Sequence, residues 1–128
     1  MEYISPPVGH SIMATFYEIP TEILLNEEGI KNTATEALKA ERFNILTQAH
    51  HHFEPHGYTG LWLLSESHLA IHTYPEEKYR SLVFDLYSCR GEGDGRQTLN
   101  SMKRFLQTDK INLQERPMPI DSNRWGWL

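Results

Sequence analysis

Long apolar runs, clustered cations and paired cysteines are all missing from this chain of 128 residues. No stretch approaches the roughly 20 apolar residues that cross a bilayer, so no membrane span is expected. The N-terminus has no basic region followed by an apolar core, so no secretory leader is expected either. Lys and Arg number 12 against 17 Asp and Glu, a formal net charge of -5, and no basic stripe runs along any segment. Nucleic-acid backbones are held mostly by clustered cations, so this balance argues against that class of partner. The one cysteine, Cys89, cannot form an internal disulfide. That fits a reducing, cytoplasmic compartment and leaves a thiol for packing or chemistry. The length suits a single domain, residues 1 to 128, with its own core.

What is present reads as alternating strands and helices. Residues 9 to 19, GHSIMATFYEI, are apolar and β-branched and form a strand that Pro20 ends. Asn26 is placed to cap a helix over residues 27 to 42, where Ile30, Ala34, Ala37 and Leu38 recur at helical spacing. A second strand is expected over residues 43 to 53. Pro55, Gly57 and Gly60 mark a turn before a short buried strand at 61 to 64, and extended structure resumes from 68 to 74, until Pro75. Residues 79 to 89, YRSLVFDLYSC, are the longest strand candidate and stop at the glycine-rich GEGDG of 91 to 95. Leu99, Met102, Phe105 and Leu106 predict a second helix, followed by a short strand at 110 to 114. An irregular tail with two prolines and two tryptophans, Trp125 and Trp127, is expected to close the chain. The order implies an α/β two-layer sandwich, an antiparallel or mixed sheet with helices packed on one face.

Four features bear on chemistry. His50, His51 and His52, with His56 close behind, include two imidazoles on one strand face; adjacent histidines near a turn are more often surface residues, and no metal is assigned to them. GEGDG carries Glu92 and Asp94, the wrong sign for a phosphate cradle, and reads as a solvated loop leading into the second helix. Cys89 closes its strand on the face of Asp85 and Tyr87, where a lone cysteine is most often a small hydrophobe.

The fourth is Ser65-Glu66-Ser67-His68, which follows the apolar run 61 to 64. If the hydroxyl of Ser67 faces the carbonyl of Glu66, attack on that carbonyl moves the acyl group from nitrogen to oxygen. Loss of the Ser67 Cα proton then expels the Glu66 carboxylate by β-elimination, and hydrolysis of the dehydroalanine leaves a pyruvoyl group. The reaction needs a hydroxyl donor for the oxyanion and a base, for which Thr59 and His72 have the right chemistry. A pyruvoyl carbonyl forms a Schiff base with an amine and withdraws electrons, as pyridoxal phosphate does. Decarboxylation is its natural use, with Cys89 a candidate acid for the α-carbon.

Residues 65 to 76, SESHLAIHTYPE, resemble the signature S-E-S-H-L-x-I-H-[TS]-[WFY]-P-E of the small prokaryotic S-adenosylmethionine decarboxylases, pyruvoyl enzymes of polyamine synthesis. FEPHGYTG, residues 53 to 60, is similar to that family's F-x-P-x-G-x-S-G, and DLYSC, residues 85 to 89, to its D-[VL]-[FY]-[TS]-C. The resemblance implies that Ser67 becomes a covalently bound pyruvoyl cofactor and that Glu66 ends the amino-terminal fragment. It makes His72 the processing histidine, puts Thr59 where a processing serine stands, and makes Cys89 the catalytic proton donor. It places Phe53 against adenine, Tyr74 in the substrate pocket and Glu76 on the ribose hydroxyls. A two-layer sandwich and a homodimer of cleaved protomers are also implied. Departures are Thr59 for serine, His10-Ser11 for an Arg-His pair, Thr15 for an acidic residue, Ile19 for a cysteine, Glu54 for an apolar residue and Arg90 for a glycine.

The expected function is therefore an autoprocessing, pyruvoyl-dependent decarboxylase of S-adenosylmethionine in spermidine biosynthesis. One alternative keeps the mechanism but takes L-arginine or L-ornithine, for which Glu54 would suit a basic side chain. Another is an unprocessed, non-catalytic homologue that binds a partner.

Overall fold

The computed structural model describes residues 4–123; Trp125 and Trp127 of the expected tail lie outside them. Six strands form one sheet in the order β2-β3-β4-β5-β1-β6, with β1 Val8–Phe16, β2 Ile45–His52, β3 Tyr58–Leu64, β4 Ser67–Tyr74, β5 Ser81–Ser88 and β6 Ile111–Pro119. Every neighbouring pair is antiparallel, which resolves the choice between an antiparallel and a mixed sheet. Three helices accompany the sheet among the described residues: α1 Thr21–Leu24, α2 Glu27–Ala40 and α3 Arg96–Leu106.

Strand alternation decides where the core sits. Ile12, Ala14 and Phe16 of β1, Trp62 and Leu64 of β3, Leu69 and Ile71 of β4, and Leu82, Phe84 and Leu86 of β5 all point to one face and are buried. Ile30, Ala34 and Leu38 of α2 and Leu99, Met102 and Leu106 of α3 close over them. Asn26 caps α2 as expected, its side chain accepting from the Gly29 N–H at 3.0 Å. Glu27 and Glu28 in the first turn and Lys39 in the last complement the helix dipole. α3 starts at Gly95, whose φ of +99° lies in the left-handed region that glycine adopts without strain.

The opposite face of the sheet carries Met13, Leu61 and Leu63, each about half exposed, with Ala70 and Val83 beside them. No helix among the described residues covers it, and none is long and apolar enough to cross a membrane.

Two expectations need correction. Pro20 opens a short helix, α1, which was not foreseen. The last strand does not stop near residue 114 but runs to Pro119. Among the described residues β6 pairs only with β1, so it is an edge strand there, and its two prolines cost no ladder bond on the free side.

Candidate active site

The peptide bond between Glu66 and Ser67 lies at a hairpin tip. Leu64 of β3 pairs with Ser67 of β4, and Ser65-Glu66 make the turn. Tight hairpins favour Gly or Asn there, and this one has neither, but it is held from outside. The Ser65 N–H donates to the Asn44 carbonyl at 3.0 Å, and Asn44 Nδ2 donates to Ser65 Oγ at 2.7 Å. Across the sheet Ser67 pairs with Ser88, the last residue of β5. Cys89 follows immediately, and both of its donors turn to the Glu66 carbonyl oxygen. The thiol donates at 2.8 Å and the backbone N–H at 3.3 Å. Ser67 Oγ is buried and has no hydrogen-bond partner among the described residues. Glu66, Ser67 and Cys89 thus stand together, with a free hydroxyl beside a carbonyl that already receives two donors.

Thr59 and His72 are also brought together, but elsewhere. They are register partners on β3 and β4, and Thr59 Oγ1 and His72 Nδ1 share a hydrogen bond of 3.0 Å. They line a cavity of about 480 Å³ together with Phe53, Gly57, Tyr74 and Glu76 among others. Phe53 and Tyr74 are about half exposed there. The loop from Phe53 to Gly57 is closed by the Phe53 N–H on the Gly57 carbonyl at 2.8 Å; Gly57 has a φ of +120° that suits only glycine. His51 packs edge-on against the Phe53 ring, with centroids 4.5 Å apart. His72 is five residues beyond Ser67 on one extended strand, so the two are about 17 Å apart and point to opposite faces. Within one chain the structure does not bring His72 or Thr59 to the Glu66–Ser67 bond.

The family model described as S-adenosylmethionine decarboxylase matches residues 10–117. The S-adenosylmethionine decarboxylase proenzyme of Thermosipho melanesiensis is 33% identical over 108 residues, 84% of this chain and 82% of that protein. The chain belongs to the S-adenosylmethionine decarboxylase family. The proenzyme of the same name from Acidithiobacillus ferrooxidans is 32% identical over 84% of this chain and 80% of its own length. The crystal structure of the adenosylmethionine decarboxylase from Aquifex aeolicus has the same fold: TM-score 0.79 at 24% identity, covering 91% of this chain and 94% of that one.

Other polar groups that stand out in the sequence settle differently. His50 faces the helices, with Nδ1 2.7 Å from the Tyr58 hydroxyl and Nε2 2.9 Å from Gln48 Oε1. Burial, then the nearby Lys31 charge, lowers its proton affinity. Burial, with Glu27 and Glu28 nearby, pushes the Tyr58 phenol up. His52 bonds Glu27 at 2.8 Å. Asp94 of GEGDG is not a solvated loop residue. It is largely enclosed, accepting from Ser88 Oγ and, at 2.7 Å, from Arg90 Nε. Sequence reading missed this arrangement, although an Arg and an Asp four apart were a visible signal.

Proposed function

We propose that the chain is an S-adenosylmethionine decarboxylase proenzyme that cleaves itself between Glu66 and Ser67 and carries on the new chain end a pyruvoyl group made from Ser67. The observation that carries this reading is the Glu66 carbonyl, which accepts from the Cys89 thiol and N–H beside the unpartnered Ser67 hydroxyl. Attack by Ser67 Oγ forms a bond to the Glu66 carbonyl carbon and places negative charge on its oxygen, where donors already point. The C–N bond then breaks and leaves an ester. A base removes the Ser67 Cα proton, the Cβ–O bond breaks, and Glu66 departs as a carboxylate. Water adds to the residual enamine after tautomerisation and ammonia leaves, so the atoms balance. The residues fit this group, because the hydroxyl it comes from is buried and uncommitted and the thiol stands at the carbonyl that leaves. Once formed, the pyruvoyl group supplies an electron sink for loss of carbon dioxide from an α-amino acid. Cys89, freed from the Glu66 carbonyl by cleavage, holds a proton at Sγ for delivery to the substrate's α-carbon.

The cavity suits an adenosyl group, with Phe53 and Tyr74 as flat apolar surfaces and the Glu76 carboxylate for ribose hydroxyls. Glu54 also lines that cavity, but its carboxylate is 88% exposed and lies 3.5 Å from His52 Nε2, which makes it a weak anchor for the side chain of arginine or ornithine. The placement of Thr59 and His72 supports a homodimer. Sheets packed face to face lie about 10 Å apart, and the half-exposed Met13, Leu61 and Leu63 make the uncovered face suitable for a second copy. A two-fold axis near the middle of β4 exchanges its ends, so each copy presents its Thr59–His72 pair to the open-face side of the other's Glu66–Ser67 bond, the side on which Cys89 follows Asp85 and Tyr87. We place the protein in the cytoplasm, in polyamine biosynthesis.

The test mixes two defective chains. Ser67→Ala alone stays one uncleaved, inactive chain, and His72→Ala alone cleaves slowly or not at all. Co-refolded, they form one complete composite site per mixed dimer. The His72→Ala chain is then expected to split at Glu66-Ser67, read by intact mass, and carbon dioxide release from S-adenosylmethionine to appear. Cleavage of the Ser67→Ala chain would overturn the nucleophile, and absence of rescue would overturn the shared site.

A further inference from the structure

Cys89 lies one residue past the end of β5, where the ladder no longer holds the chain. Its N–H is nevertheless 3.3 Å from the Glu66 oxygen, near the limit at which a few tenths of an ångström lose the bond. Something other than the sheet must fix it. We propose that Arg90 is a positioning residue, whose guanidinium, forked onto Asp94 and onto the Glu41 and Arg42 carbonyls just past α2, holds the Cys89 N–H and thiol on the Glu66 carbonyl for self-cleavage. The inference rests on the self-cleaving reading above.

Arg90 is committed on every side. Nε and Nη2 grip the Asp94 carboxylate at 2.7 and 2.9 Å. Nη1 donates to the Arg42 carbonyl at 2.7 Å and Nη2 to the Glu41 carbonyl at 2.9 Å. The guanidinium carbon stands 3.7 Å over the centre of the Phe43 ring. Four of the five N–H donors of an arginine are therefore used, and Arg90 is only 22% exposed. The same Asp94 carboxylate accepts from Ser88 Oγ, and that hydroxyl in turn accepts from the Arg90 N–H at 3.0 Å. Cys89 is thus bracketed by two residues tied to one carboxylate.

The far side of the loop is moored to the same helix end. The Glu41 side chain accepts from the N–H groups of Gly95 and Thr98 at the start of α3, both at 2.7 Å. The end of α2 therefore fixes the loop both just after Cys89 and where it enters α3.

The clamp acts by shape more than by charge. Asp94, in direct contact, offsets most of the guanidinium's field, while the Glu66 carboxylate adds a weaker pull, so Arg90 stays cationic with its proton held more firmly than usual, chiefly by Asp94. A lysine keeps the charge but cannot span a carboxylate and two carbonyls at once.

Two readouts test the claim. The chain has one cysteine, so the S–H stretching band in a Raman spectrum belongs to Cys89 alone and reports its hydrogen bond. In the uncleaved Ser67→Ala chain, adding Arg90→Gln is expected to move that band toward the position of an unbonded thiol, and Asp94→Asn to do the same. In the cleavable chain, Arg90→Gln is expected to slow splitting by about 10- to 100-fold, with Arg90→Lys no better. An unmoved S–H band in both variants, a parental cleavage rate for Arg90→Gln, or full rescue by lysine would each overturn the proposal. Asp94→Asn carries the test if Arg90→Gln does not fold. Cleavage of the Ser67→Ala chain would instead strike the underlying reading.

Discussion

The two ends of β4 are built from different materials. At the Ser67 end the working parts are backbone: a carbonyl, the N–H of Cys89 and a strand terminus, with one thiol and one enclosed hydroxyl added. At the Tyr74 end they are side chains around an open cavity, among them two aromatic rings, two carboxylates and two imidazoles. The difference follows from what each end acts upon. Chemistry on the chain's own peptide bond needs that bond immobilised, which Asn44 and Cys89 do. Capture of a diffusing molecule needs accessible flat surface, which half-exposed Phe53 and Tyr74 supply. On the proposed reading, reaction and recognition are separated by the length of a strand, and a second copy would rejoin them.

Cys89→Ala gives the largest effect that keeps the two ends distinct. It removes the thiol from the Glu66 carbonyl but leaves the Cys89 N–H there, so cleavage is expected to slow by about 10- to 100-fold and still reach completion. Turnover of the cleaved protein should fall by about 10²- to 10⁴-fold, because the thiol is the group proposed to hand its proton to the substrate's α-carbon. Denaturing electrophoresis reads the first and carbon dioxide release the second. Near-normal turnover would remove Cys89 as the proton donor.

Phe53→Ala probes the other end. A lost base-stacking surface costs about 1–3 kcal/mol, so KM for S-adenosylmethionine is expected to rise roughly 10- to 100-fold with kcat little changed. Self-cleavage should keep its parental rate, since Phe53 touches neither Glu66 nor Cys89. If cleavage slows in step with binding, the two ends are not separable and the comparison fails.

How much of this was legible in the sequence depends on the range of the interaction. Asn26 and the spacing of Ile30, Ala34 and Leu38 gave α2 to within two residues at its end, because caps and periodicity are local. The all-antiparallel order was not legible, since β1 lies between β5 and β6, partners far away in the chain. β6 is legible only as far as residue 114, because Pro117 and Pro119 read as strand breakers and its edge position is what makes them harmless. In the site, the residue types around Ser67 and Cys89 are readable, but Thr59 and His72 are expected at the same bond, and the five-residue step along one strand is what keeps them from it within a chain. The loop 91 to 95 was misread because its carboxylate finds partners, Ser88 and Arg90, that composition does not reveal.

The smallest effect is on acid stability, and it tells the clamp from an ordinary ion pair. Burial alone would raise the Asp94 pKa, but hydrogen bonds from Arg90 and Ser88 and the Arg90 charge outweigh it, and the net direction is down. Glu115 on β6 behaves alike, burial being outweighed by Arg96 and His10. A carboxylate depressed in the folded state contributes stability that is fully present above its unfolded pKa and lost as pH falls through the folded one. The loss therefore belongs below about pH 4. In the uncleaved Ser67→Ala chain, Asp94→Asn and Glu115→Gln should each flatten the fall of the thermal midpoint between pH 5 and 3, by on the order of a few degrees. In the cleavable chain Asp94→Asn should also slow splitting at neutral pH, and by more than Glu115→Gln, because Asp94 holds Ser88 and Arg90 on either side of Cys89, whereas Glu115 reaches that strand end only through His10, the register partner of Ser88. Equal slowing by both substitutions would mean that cleavage follows general stability, and the contrast between a moored reacting end and the rest of the sheet would be lost.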